Sequence, residues 1–315
     1  MHTPATLTGL AVGDALGMPF ETKYSEDPTL LNWDGSFQAG RFKAGQYTDD
    51  TQMASALTQS LLANGVYSPV DVAARYRRLF ISDTDPIRGP GETTRKAMNN
   101  LGMLPWIQSG ITNAEGNGTA MRIAPLGLFY YNNIEAAVAF AKLDANITHN
   151  SHEARTGSAA VVIAIAGMLQ GKLDKSNLIY RVADWLPESR IQTALRTYAA
   201  KVDEGVPQRK GRTIENTGPW ACYTVPAAFV AFCATDSFQS AVEMAVRSGG
   251  DTDTVAAITG ALAGTYYGWE QVEPYVLNPR EVGLEDGWRL RDMERELFDK
   301  APSVYGQVDL PLRKP

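Results

Sequence analysis

Ser248-Gly249-Gly250-Asp251-Thr252-Asp253-Thr254 runs directly into a small, apolar stretch that carries Val255, Ala256, Ile258, Ala261 and Leu262. Asp and Thr oxygens accept hydrogen bonds from the free amides at a helix start, and a glycine pair lets the backbone turn sharply just before it. The stretch therefore opens a helix. One cap uses one oxygen, whereas two carboxylates at i and i+2 beside two hydroxyls offer a surplus. Hard cations such as Mg²⁺ or Mn²⁺ take oxygen ligands of this kind. Thr48-Asp49-Asp50-Thr51 stands in the same relation to a second apolar helical run that begins at Met53. Asp49, Asp50, Asp251 and Asp253 would repel one another strongly if brought together without cations, so convergence of the two stretches implies more than one metal.

Outward from these two points the periodicity is helical. Met53, Leu57 and Leu61 continue the first run to Asn64-Gly65, and Pro69 to Phe80 follows as a helix with Pro at its start. Arg88 to Thr94 is a turn-rich loop entering another helix. Ala136 to Ala145 predicts a helix, and the uniformly apolar Thr156 to Leu169 predicts one buried on all sides at the centre of the core. Further helices are expected over Arg190 to Val202, Cys222 to Ala234, Ser237 to Arg247 and Thr254 to Tyr266, with an amphipathic surface helix marked by Leu290, Met293 and Leu297. The basic run Gln208-Arg209-Lys210-Gly211-Arg212 reads as a solvated loop, and the tail through Pro315 as loosely held. Internal repeats, low-complexity segments and alternating strand patterns are absent. The expectation is an all-α protein, residues 1–315 forming a single domain.

Near the N-terminus Gly9, Gly13 and Gly17 recur every fourth residue, on one side of a helix expected from Thr6 to Phe20. Glycine there is costly. Two reasons compete on equal terms: close packing against another backbone, or the presentation of Asp14 and Glu21 to a central site. Glu115-Gly116-Asn117-Gly118-Thr119 forms a third conspicuous loop, whose amides can approach a phosphate at the start of the helix that follows. Taken alone such a loop is ordinarily just a turn. His149 and His152, two of the three histidines, follow the helix over Ala136 to Ala145. Zinc would need more nitrogen or sulfur ligands than the chain offers, so His149 reads as a hydrogen-bonding pocket residue, with a satisfied structural histidine as a close rival, and His152 as structural.

Composition narrows the class of ligand. A net charge of −6 disfavours general attraction to nucleic acid or to anionic membranes. Two cysteines, Cys222 and Cys233, in apolar surroundings exclude a disulfide framework and fit a reducing cytoplasm. The longest apolar run, Ala159 to Leu169, is too short to span a bilayer.

Taken in order, Gly9-Leu10-Ala11-Val12-Gly13-Asp14-Ala15-Leu16-Gly17 with Glu21, Tyr47-Thr48-Asp49-Asp50-Thr51, Gly116-Asn117-Gly118-Thr119-Ala120-Met121-Arg122, Thr148-His149 and Gly249-Gly250-Asp251-Thr252-Asp253-Thr254 resemble the ADP-ribosylglycohydrolase family, which includes the dinitrogenase reductase-activating glycohydrolase type. The resemblance implies a compact all-α fold with two Mg²⁺ or Mn²⁺ ions that cleaves the glycosidic bond between ADP-ribose and a modified side chain. It places Thr48, Asp49, Asp50, Asp251, Asp253 and Thr254 on the family's metal positions. Asp50, Asp251 and Asp253 are then both ligands and candidate catalytic groups, and Glu21 falls where some members carry a mobile acid. Gly116, Asn117, Gly118 and Thr119 match the loop that holds ribose and diphosphate, and His149 matches a ligand-contacting histidine. The implied partners are an ADP-ribosylated protein or other ADP-ribosylated acceptor and the ADP-ribose released from it. Two rival enzymes fit less well: the Asp-x-Asp of a haloacid-dehalogenase-type phosphatase ends a strand, and a prenyl synthase needs a third acid after Asp50. A non-catalytic relative would lack metal ligands, and none is missing.

Overall fold

A computed structural model describes residues 3–203, 214, 217–277 and 282–302. Its helices, in order, are α1 (Thr6–Gly17), α2 (Pro28–Leu31), α3 (Asp49–Asn64), α4 (Pro69–Ile81), α5 (Glu92–Leu101), α6 (Ala124–Phe129), α7 (Ile134–Thr148), α8 (His152–Leu169), α9 (Leu178–Trp185), α10 (Arg190–Asp203), α11 (Ala221–Cys233), α12 (Phe238–Arg247), α13 (Thr252–Tyr267), α14 (Trp269–Leu277) and α15 (Gly287–Asp299). The protein is all-α, and among the described residues its strands are one short parallel pair, β1 (Ile111–Thr112) with β2 (His149–Asn150). Among the described residues no helix is long and apolar enough to cross a membrane. The run Gln208 to Arg212 and the tail after Pro302 lie outside the described residues.

Buried apolar side chains from α1 through α15 form one continuous core. At its centre α1 and α13 cross with their backbones in direct contact. A Cβ on Gly9 would overlap the Gly260 carbonyl, one on Gly13 the Ala256 carbonyl, and one on Gly17 would stand 2.6 Å from the Asp253 Cα. The stripe is thus a packing surface, and α13 answers it with Gly260 and Gly264, where a Cβ would overlap the Gly9 and Ala5 carbonyls. Helix α8 is buried almost throughout, as its composition requires, yet it shares the centre with this tighter pair.

Boundaries follow local chemistry where a local cap exists. Ser68 caps α4 ahead of Pro69, Asn133 caps α7, Ser151 caps α8, and Ser237 with Ser240 forms a capping box on α12. Helix α1 has no such residue. Its first amides are met from α15, where Glu294 accepts from Leu7 N at 2.9 Å, from Thr8 N at 3.2 Å and from the Thr8 hydroxyl at 2.7 Å. Arg291 pairs with that carboxylate at 2.8 Å and donates to the Pro4 carbonyl at 2.6 Å. Helix α9 arises in the polar segment after Gly171, where no helix was expected; Leu178, Ile179, Val182 and Ala183 bury one face of it.

The close crossing gives a stability prediction. Gly13→Ala forces α1 away from α13 and costs about 3 kcal/mol, because the obstacle is backbone and cannot rotate aside. Gly91→Ser, at an N-cap with nothing within 4 Å of the added Cβ, leaves stability unchanged or slightly higher. Urea unfolding midpoints of the two variants measure the contrast.

Candidate active site

The first acidic stretch is held from α1. Asp14, fully buried, accepts from Thr48 N at 2.9 and 3.0 Å, from the Thr48 hydroxyl at 2.9 Å, from Thr51 N at 3.1 Å and from the Thr51 hydroxyl at 2.7 Å. Thr48 occupies the N-cap position of α3, but its own side chain makes no cap bond. A remote aspartate does that work, which leaves Asp49 and Asp50 in the first turn with no capping duty. Burial raises the Asp14 carboxyl to about 6, against the pull of these donors. Asp49 is anchored by its amide, which donates to the Arg88 carbonyl at 2.8 Å, and Arg88 is itself paired with Glu285.

The second stretch is shaped by its glycines. Gly249 and Gly250 have φ of 72° and 78°, and a Cβ on Gly250 would overlap the Thr217 hydroxyl. Gly250 exchanges backbone hydrogen bonds with the segment after Glu21: Thr22 N to Gly250 O at 2.7 Å and Gly250 N to Lys23 O at 2.8 Å. Asp251 sits at the N-cap of α13, yet its carboxylate caps nothing. It accepts instead from Asn117 Nδ2 at 2.8 Å. Thr252 donates to the Gly17 carbonyl at 2.7 Å, which pins the start of α13 to the end of α1.

The two stretches meet. Asp50 is held well above the usual carboxylate range by burial and then by Asp14, Asp49 and Asp251, with a Thr254 hydrogen bond opposing. Asp253 is raised likewise, by burial first and then by Asp251 and Asp50. Asp49 rises to about 8 through burial and the Asp14 charge. Such shifts record carboxylates crowded together without counter-charge. Asp50 Oδ1 is buried with no hydrogen-bond partner. An orphaned carboxylate oxygen among crowded acids and Thr hydroxyls suits a hard divalent cation, so Thr48, Asp49, Asp50, Asp251, Asp253 and Thr254 fit the role of ligands. Among the described residues no group of three His, Cys, Asp or Glu side chains is placed to hold a metal ion by itself. The donor set on offer is a mixed one, in which the threonine hydroxyls count.

Glu21 is the exposed acid of the group, at the end of the 3-10 turn Met18–Phe20, and partial burial and Asp251 raise its carboxyl while Arg41 opposes. The glycine loop joins the group through Asp251. Asn117 N donates to the Pro219 carbonyl at 3.0 Å, and Asn117 Nδ2 bonds Thr224 at 2.9 Å as well as Asp251. The loop leads into turns, with α6 starting only at Ala124, so the expected helix N-terminus behind Gly118 and Thr119 is not there. Their amides meet no acceptor among the described residues and remain available in the loop itself. The Thr119 hydroxyl is turned inward to the Ala154 carbonyl at 3.1 Å. His149 packs behind the loop, and His152 is directed elsewhere, 3.0 Å from the Glu188 carbonyl. Sequence reasoning placed no aromatic here. Trp220, 48% exposed and bridged through its backbone to Gly116, stands at the loop's edge, and only the tertiary pairing reveals it.

Comparison with known proteins places the chain in a family. Residues 4–306 match the ADP-ribosylglycohydrolase family model. An uncharacterized protein of Archaeoglobus fulgidus is 33% identical, covering 93% of this chain and 94% of its own. ADP-ribosylhydrolase ARH3 of Bos taurus is 30% identical over 84% of this chain and 85% of its own. ADP-ribosylarginine hydrolase Tri1 of Pseudomonas putida is 26% identical over 95% of this chain and 78% of its own. A solved ADP-ribosylglycohydrolase-related protein complex superposes with a TM-score of 0.76 at 27% identity, covering 94% of this chain and 96% of its own. With the family pattern running across nearly the whole chain and relatives matched over most of their length, the protein belongs to the ADP-ribosylglycohydrolase family.

Proposed function

We propose that the protein is a metal-dependent hydrolase that releases ADP-ribose from a modified acceptor, with arginine on a protein as the preferred linkage. The observation that carries this reading is the junction at Asp251: the crowded carboxylates of two distant stretches meet there, and Asn117 ties them to a glycine loop with free amides. A phosphate-binding loop hydrogen-bonded to an acidic centre suits a ligand with a diphosphate at one end and a glycosidic carbon at the other.

Two Mg²⁺ or Mn²⁺ ions held by Thr48, Asp49, Asp50, Asp251, Asp253 and Thr254 would offset the carboxylate charge, orient the ribose hydroxyls and polarise water. The chain's own groups do the rest. The Gly118 and Thr119 amides bind the diphosphate, and Trp220 offers a face to the adenine. The bond from the anomeric carbon to the acceptor nitrogen breaks through an oxocarbenium-like state, which the negative charge of Asp50, Asp251 and Asp253 stabilises. Water adds its hydroxyl to that carbon, and the departing nitrogen takes a proton. Glu21, exposed at the mouth and raised in pKa, is the group suited to move that proton.

The exposed Glu21 beside Asp251 favours a cationic guanidinium, and the Tri1 relative is named for ADP-ribosylarginine. Incubation of ADP-ribosylated protein with and without Mg²⁺, with free ADP-ribose as the readout, tests the reading at its root: release is expected with the metal and lost on chelation. Arginine-linked peptide is expected to be cleaved faster than serine-linked peptide at matched Mg²⁺. The reverse order would move the assignment to serine linkage and leave the centre unchanged.

Asp253→Asn is expected to lower turnover about a hundredfold or more and to remove metal binding in calorimetry. It also relieves repulsion, so the metal-free variant melts at or above the wild-type temperature. Turnover equal to wild type would reduce the stretch to a helix start.

The raised carboxyls also set the pH dependence of the metal-free protein. A carboxyl with a folded pKa above its unfolded value binds more protons folded than unfolded, so stability falls as pH rises through that window. Asp49 rises to about 8, and Asp50 and Asp253 are raised in the same direction. His149, with its pKa lowered, opposes only below the ordinary imidazole value. The melting temperature without metal is therefore expected to be higher at about pH 6.5 than at about pH 8, and Mg²⁺ to close the gap. Scanning calorimetry at the two pH values checks it.

A further inference from the structure

Behind the glycine loop lies a charged cluster that the proposed reaction does not use. Arg122 and Asp144 are both fully buried, with the guanidinium 2.8 Å from the carboxylate. Arg122 Nε donates to Asp144 Oδ1 at 2.8 Å and Nη2 to the Asp144 carbonyl at 3.0 Å. Its Nη1 donates to the Gly118 carbonyl at 3.0 Å and to the Thr148 hydroxyl at 2.9 Å. Tyr76 completes the cluster: its hydroxyl donates to Asp144 Oδ2 at 3.2 Å, and its ring centroid lies 4.6 Å from the guanidinium carbon. Replacing a buried ion pair with apolar groups is often neutral or stabilising, so stability alone gives no account of this one. Its outlets do: one reaches the glycine loop and the other reaches Thr148, next to His149.

An arginine has donors and no acceptor, so at the Arg122 contact the Thr148 oxygen accepts. The hydroxyl proton must then go elsewhere. Thr58, Thr156 and Thr259, all within helices, return their hydroxyls to the carbonyl four residues back. Thr148 does not. The only other partner of its Oγ1 among the described residues is His149 Nδ1, at 2.9 Å. With Thr148 fully buried, a proton on Nδ1 would leave the hydroxyl hydrogen without an acceptor, an arrangement that buried polar groups avoid. Nδ1 is therefore the acceptor and the ring proton sits on Nε2.

The Nε2 edge is the one that faces the glycine loop. A Cβ on Gly118 would stand 2.7 Å from His149 Cε1, and one on Gly116 3.2 Å from Nε2. Nε2 has no hydrogen-bond partner among the described residues. We propose that Arg122 and Thr148 are positioning residues that hold His149 in its neutral Nε2–H tautomer, so that it presents one fixed donor to the ligand at the glycine loop. Burial and the Arg122 charge lower the His149 pKa to about 3, which keeps the ring neutral. A neutral donor reads an oxygen without carrying a charge whose loss would change affinity with pH. The ligand's identity rests on the hydrolase reading above; the tautomer does not.

The chain has three histidines, so nitrogen-15 imidazole spectra of the full-length protein can be assigned by single replacements. His149 is expected to show an unprotonated Nδ1 and a protonated Nε2, unchanged from about pH 8 to about pH 5. A protonated Nδ1, or titration at the ordinary imidazole value, would overturn the proposal. Thr148→Val keeps the shape and removes the hydroxyl; it is expected to release the ring from its single tautomer and weaken free ADP-ribose binding about tenfold, with Thr148→Ser restoring both. Tautomer and affinity both unchanged in Thr148→Val would also overturn it. The wild-type spectrum decides the tautomer even if the valine variant does not fold. A wild type with the expected tautomer but no affinity for ADP-ribose would sink the ligand reading and leave the relay standing.

Discussion

The crossing of α1 and α13 is the constraint on which the rest depends. Glycines on both helices let the two backbones touch, and no side chain can intervene at Gly9, Gly13, Gly17, Gly260 or Gly264. The contact extends to the very start of α13, where Gly17 lies against Thr252 and Asp253. Asp14, carried on the same helix as the glycines, captures the start of α3 through four donor groups of Thr48 and Thr51. One helix thus positions both acidic stretches. A shift of α1 by the width of a methyl group would move them relative to each other.

The protein manages its buried charges in two contrasting ways. Arg122 with Asp144 and Arg291 with Glu294 are paired inside the core, and each pair also hydrogen-bonds both backbone and a neighbouring hydroxyl. The aspartates at the centre pair with no such cation among the described residues. Asp14 is compensated by hydrogen bonds alone, and Asp49, Asp50 and Asp253 are driven above their usual pKa by burial and by one another. Their unfavourable electrostatics is stored at the site, and a bound divalent cation would relieve it.

Two layers of support surround that centre. Asn117 connects the second acidic stretch to the glycine loop, and the loop is fixed on its far side by Pro219, Trp220 and the buried Arg122. Arg88 braces the first stretch from outside, with its carbonyl on Asp49 N and its guanidinium on Glu285 and the Tyr47 carbonyl. The glycine loop and the Gly249-Gly250 turn are thus each tied to neighbouring segments, which keeps their residues at defined positions.

Sequence alone determined the helical class, the two acidic helix starts and the glycine loop, because each is written in local chemistry: periodicity, caps and backbone-permissive residues. Even the glycine stripe of α1 announced a close contact, and the choice between packing and presentation dissolved, since Gly13 packs while Asp14 beside it organises the centre. What only the tertiary structure decided is who answers whom. Asp251 and Thr48 occupy cap positions, and nothing in their neighbourhoods tells that neither side chain caps its helix: Asp14, from a distant segment, meets the first amides of α3, and Asp251 instead accepts from Asn117, also distant in sequence. The same holds for Glu294 on the amides of α1 and for Trp220 beside Gly116, whose partners are set by packing. Behind Thr119 the chain makes turns, and α6 begins only at Ala124, with the buried Ala120, Met121 and Arg122 between. Local signals specify elements, while hydrogen bonds between distant segments depend on the distances that the core alone sets.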